Sequence, residues 1–127
     1  MINFEALELN LDELRIKYLT AQPFPHLIID NFCDEEKLNI AYNSIPELKN
    51  KSRDYAFANN KFEKSNYKVI CPELEGLYND LSSDRFNKIL SFITAKKTFV
   101  DPKNFGGGLH QGKKNSFLDM HLDFNYH

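Results

Sequence analysis

His121-Leu122-Asp123 sets an imidazole and a carboxylate two residues apart near the end of the sequence. In an extended strand, residues two apart point to the same face, and at ~3.3 Å rise per residue their α-carbons stand about 6.5 Å apart. Side chains from two such positions can converge on one cation. An imidazole and a carboxylate are two corners of the two-histidine, one-carboxylate triad that holds Fe(II) and leaves positions open for oxygen and a chelating substrate. Taken alone, the pair is weak evidence. The chain has 4 His and many acidic residues, and a surface strand with a polar edge would carry the same letters.

The neighbouring residues add to it. Gly106-Gly107-Gly108-Leu109-His110-Gln111 stands just upstream. Glycines beside a strand permit a bulge or a close backbone approach, and a flexible hairpin loop is the plainer alternative. No Gly-Lys-Ser/Thr follows, so the run is not a phosphate loop. His110 either faces a pocket or is a polar strand residue bonded to backbone. Asn125 keeps the parity of His121 and Asp123 and is a candidate to orient Asp123 from behind; a turn residue is the alternative. His127 shares that parity too. Six strand residues span about 20 Å, far beyond a shared metal with bonds of ~2.1 Å, so His127 is not expected to be a ligand without a sharp turn after Asp123. His26, among apolar neighbours, reads as a structural histidine. The pairs Lys96-Lys97 and Lys113-Lys114 read as solvated loop ends. Cys33 and Cys71 have no basic or histidine neighbour to activate a thiol.

These residues must be positioned by a helical first part. Asn10 with Glu13 has the form of a capping box. Leu11, Leu14, Tyr18 and Leu19 follow on one helical face, and Gln22-Pro23 ends the helix. Residues 25–32, a short apolar run between Pro25 and Asp30-Asn31, predict a strand. Asp34 caps a second helix with acidic first-turn residues and a stripe of Leu38, Ala41, Tyr42 and Ile45; Pro46 closes it. Residues 47–66 read as a long loop with a short strand near Tyr55–Ala58. Pro72 starts a third helix through Leu74, Leu77, Tyr78 and Leu81. Ser82-Ser83 caps a fourth with Phe86, Ile89, Leu90 and Ile93. Thr98-Phe99-Val100 reads as extended and Asp101-Pro102 as a turn. Phe105 to His110 leads into a strand, and 117–124 is the last strand.

The chain has 127 residues, 42% hydrophobic and 27% charged, which suits one domain and excludes extensive disorder. With 11 Phe and 6 Tyr a core is affordable at this length. A net charge of −2 and a pI near 6.1 do not favour nucleic acid or an anionic membrane as partner. No apolar run approaches the roughly 20 residues that span a bilayer, and the acidic first ten residues are not a secretory signal. Two unpaired cysteines fit neither a disulfide scaffold nor a thiolate zinc site, and a cytoplasmic protein is expected.

Helices come first and strands only as the chain ends. This reads as a single incomplete domain over 1–127: a mainly helical layer over 1–95, then the first core strands over 96–127.

Residues 105–111, Phe117-Leu118 and residues 121–127 together resemble the iron-binding strand region of the 2-oxoglutarate and Fe(II)-dependent oxygenases. The likeness is closest to the prolyl-4-hydroxylase-like branch. Residues 23–32 before an acidic helix start, and the helix Phe86 to Thr94 leading to Asp101-Pro102, are similar to the front of that branch. The resemblance covers roughly residues 20–127.

It implies an α+β fold in which N-terminal helices pack on the beginning of a double-stranded β-helix, a cupin-like jelly roll truncated at its C-terminal side. His121 and Asp123 would be the first two iron ligands, and His110 would contact the co-substrate. The family's second ligand His, and the Arg or Lys that anchors 2-oxoglutarate, follow on later strands and have no counterpart among these residues. The implied reaction couples oxidative decarboxylation of 2-oxoglutarate by O2 to hydroxylation of a prolyl residue or a small molecule, with ascorbate as accessory reductant. The 127 residues alone are expected to be inactive and to self-associate through an open strand edge. A non-catalytic jelly-roll binding or assembly module is the alternative, and a zinc hydrolase using His121, Asp123 and His127 a weaker one.

Overall fold

A computed structural model describes residues 1–49, 58–65, 70–101 and 107–120. Five α-helices and two strands appear among them. In chain order they are α1 (Phe4–Leu9), α2 (Leu11–Thr20), α3 (Glu35–Ser44), β1 (Ala58–Lys64), α4 (Glu75–Leu81), α5 (Asp84–Thr94) and β2 (Leu109–Leu118). A 3-10 turn, Pro72–Leu74, leads into α4. The architecture is α+β. No helix among the described residues is long and apolar enough to cross a membrane.

The core forms where α1, α2 and α5 meet. Ile2, Leu7, Leu14, Ile89 and Ile93 are buried there, with Phe4, Leu11, Tyr18, Leu27, Phe32 and Phe86 packed around them. The stripe of α5 accounts for its share: Ile89 and Ile93 recur at i and i+4 and enter the core together. Ser83 caps α5, its hydroxyl accepting the Phe86 N–H at 3.1 Å. Ala95, in the left-handed conformation at φ 55°, ends it. Arg85 of α5 grips Glu8 of α1 with two bonds of 2.7 Å and lies over the Phe4 ring.

Two helix details depart from the sequence reading. Asn10 does not cap α2 through its side chain. It also terminates α1, and its amide donates back to the Ala6 carbonyl at 2.8 Å. Glu13, the other half of the expected box, pairs with Lys17 one turn on at 2.6 Å. In α3 the cap forms as expected, Asp34 accepting the Lys37 N–H at 3.0 Å. Its stripe does not, because only Ala41 is buried while Leu38 and Tyr42 lie exposed.

The expected strand over 25–32 is absent. Leu27 and Ile29 turn to the core and Ile28 to solvent, so the alternation of a strand is there without a ladder. Asn31, at φ 53°, bends the chain. Beyond it, one isolated bridge joins Cys33 to Ile2. Alternating burial satisfied side chains, but no neighbouring strand was placed to take the backbone bonds.

β1 and β2 pair antiparallel as a two-stranded sheet. β1 was read as loop, apart from a short strand near 55–58 of which residues 55–57 lie outside the described residues. It comes from between α3 and α4, so strands do not simply follow helices. The register runs Lys64↔Leu109 to Lys61↔Gly112, then resumes at Asn59↔Phe117. Residues 113–116 therefore loop out of the ladder, which joins in one element the ends of the two strands expected over 105–110 and 117–124. Gly108 sits where β2 begins, and a Cβ there would lie 2.7 Å from the Lys64 carbonyl oxygen. The glycine serves a close backbone approach. A jelly roll would require further strands than these two.

Candidate functional site

His121, Asp123, Asn125 and His127 lie outside the described residues. The described chain comes within one residue of His121: β2 ends at Leu118, and Asp119 and Met120 follow.

His110 is described. It faces Glu63 across the sheet, its Nδ1 3.9 Å from a Glu63 carboxylate oxygen. Lys61 reaches the same oxygen at 3.4 Å. His110 is thus a half-exposed imidazole beside an acid that a lysine also engages. Among the described residues, no three of His, Cys, Asp and Glu come together in a group able to hold a metal. One imidazole and one carboxylate at 3.9 Å form an ion pair when the ring is protonated; they do not make a closed metal site.

Gln111, the last residue of the glycine-led motif, does structural work that its letter does not announce. Its side-chain oxygen accepts the Leu48 N–H at 2.7 Å, and its amide donates to the Pro46 carbonyl at 2.8 Å. It ties β2 to the segment leaving α3. Lys113 adds a second tie, bonding Glu47 at 2.8 Å with its ammonium over the Phe62 ring. Lys113 was read as a solvated loop end, and only the three-dimensional neighbourhood shows otherwise.

A cavity of about 470 Å³ opens between α4, α5, residues 98–101 and the start of β2. Leu77, Leu81, Phe86 and Leu90 form its apolar floor, and Val100 and Leu109 face them. Its volume is in the range of small-molecule sites. A hydroxyl network holds the far wall. The Thr98 N–H donates to Ser91 Oγ at 3.1 Å, the two hydroxyls are 2.7 Å apart, and Thr98 bonds the Asn87 carbonyl at 3.0 Å. These polar groups satisfy one another, so the cavity suits an apolar group better than a charged one.

The remaining candidates are accounted for locally. His26 Nδ1 lies 2.9 Å from the Phe24 carbonyl and its ring meets the Phe24 ring edge-on; it is exposed, whereas a place among apolar neighbours was expected. Both cysteines are free thiols. Burial pushes the Cys33 thiol up, the Met1 ammonium opposing and Asp80 assisting. Burial also raises Cys71, helped by its bond to Glu73. Both shifts disfavour the thiolate that a nucleophile would need.

Comparison of the chain with protein-family models, with curated proteins and with solved structures finds no match.

Proposed function

We propose that the chain carries the front of an Fe(II) and 2-oxoglutarate-dependent dioxygenase domain. The observation that carries this reading is the pairing of His121-x-Asp123 with the upstream glycine-led segment 105–111. Two features agree with it. The glycine run does act in a close approach of two backbones, at Gly108. The chain also enters the motif from a strand of an antiparallel sheet, the kind of segment in which residues two apart share a face.

His121 and Asp123 are the residues that would hold the iron, an imidazole and a hard carboxylate being an Fe(II) donor set. Bound iron would supply oxygen activation coupled to decarboxylation of 2-oxoglutarate. The chain's own part is to aim the two ligands, with Asn125 supporting Asp123 and His110 near the co-substrate. The third ligand and the basic anchor would come from outside these 127 residues. A jelly roll completed by later strands belongs to the same proposal, as does a prolyl residue or small molecule as substrate.

The test is succinate formation from 2-oxoglutarate under O2 with Fe(II). The 127-residue chain alone should give none at enzyme-like rates. A longer natural chain containing it should turn over and lose that activity in His121→Ala and in Asp123→Ala. Turnover that survives both substitutions would defeat the proposal.

A further inference from the structure

The first residue is built into the fold. The α-ammonium of Met1 pairs with the Asp80 carboxylate on α4, and the Met1 side chain is only 6% exposed. The same Asp80 oxygen accepts the Ile2 N–H at 2.9 Å. The Met1 carbonyl accepts the Asp34 N–H at 2.9 Å, and the Asn3 N–H donates to the Phe32 carbonyl at 2.9 Å. Gly76 leaves room on α4: a Cβ there would already stand 3.4 Å from Met1 Cγ. Met1 is therefore held between α4 and the segment that enters α3. The charged and titratable groups near the ammonium are Asp80 from α4, Lys37 from α3, which acts on Asp80, and the Cys33 thiol.

We propose that the free α-ammonium of Met1 is a structural ion of this fold, and that its nitrogen is a modification site whose acylation uncouples α4 from the segment entering α3. An acetyl group from a thioester donor forms a C–N bond as the C–S bond breaks and the thiol leaves. The nitrogen becomes a neutral amide. Asp80 then keeps a partly buried carboxylate without its counter-ion, the costly way to break such a pair. The acyl group must also fit beside a side chain that has almost no free surface. The effect reaches the cavity, because Leu77, Tyr78 and Leu81 of α4 line it.

The test compares the chain with a free and with an acetylated Met1 amine, each with Asp80 and with Asp80→Asn, by thermal unfolding. Acetylation should lower the midpoint by about 4 °C with Asp80, and by less than half as much with Asp80→Asn. An equal loss in both, or none, overturns the proposal. If Asp80→Asn does not fold, the labelling rate of the Met1 amine by an acylating probe decides. The folded chain should react about tenfold slower than the chain in urea, as protection by structure requires; equal rates overturn the proposal.

Discussion

Gly108 and Lys64 approach so closely that a Cβ on the glycine would stand 2.7 Å from the lysine carbonyl oxygen. Both belong to the same end of the β1–β2 ladder, where Lys64 faces Leu109. The atom in the way is backbone, and it cannot move without opening the ladder. Gly108→Ala should therefore lose about 1–3 kcal/mol, the scale of a strained backbone position, read as a lower midpoint in urea. A midpoint within error of the parent would show that the ladder end is looser than this contact requires.

The pinned turn after α5 is a second point of control. Thr98 bonds Ser91 and Asn87 together across Ala95. Thr98→Val should cost about 1 kcal/mol for each bond lost. Ser91→Ala removes part of the same network, so the double variant should lose less than the two single losses combined. Additive losses in urea titrations would mean that the two hydroxyls act separately.

Acid should loosen the N-terminal joint. Burial resists ionisation of Asp80, but the Met1 ammonium and the Ile2 amide more than offset it and hold the carboxyl below its ordinary value of 3.8. The Lys37 amide holds Asp34 below 3.8 in the same way, against some desolvation. A carboxyl with a lower value in the folded chain adds stability above its ordinary value and loses it as pH falls through the folded one. The thermal midpoint should stay level from neutral pH to about pH 5 and drop below about pH 4. Asp80→Asn should flatten that drop. An unchanged acid slope in this variant would assign the loss to other carboxylates.

Local chemistry made α2, α3 and α5 readable, since each starts near a polar capping residue and carries apolar residues at helical spacing. α1 escaped notice because one buried residue, Leu7, holds its six residues to the core. β1 was hidden for the opposite reason. Ala58-Asn59-Asn60-Lys61-Phe62-Glu63-Lys64 has a single large apolar residue, Phe62, and it is the pairing with β2 that makes a strand of it. Residues 25–32 had strand composition but no partner. In the candidate site, spacing alone singled out His121 and Asp123. The structural role of Gln111 could not be read, because its partners at Pro46 and Leu48 are distant in sequence and are backbone groups without a side-chain signature.

The claim that His121 and Asp123 bind iron together is tested most directly by iron-directed oxidation. The chain is loaded with Fe(II) without oxygen, exposed to O2 and ascorbate, and its oxidised residues are located by mass spectrometry. Damage should concentrate on His121, exceed that at the exposed His26 and half-exposed His110, and disappear from His121 in Asp123→Ala. Oxidation spread evenly over the histidines, or unchanged at His121 in Asp123→Ala, would contradict it.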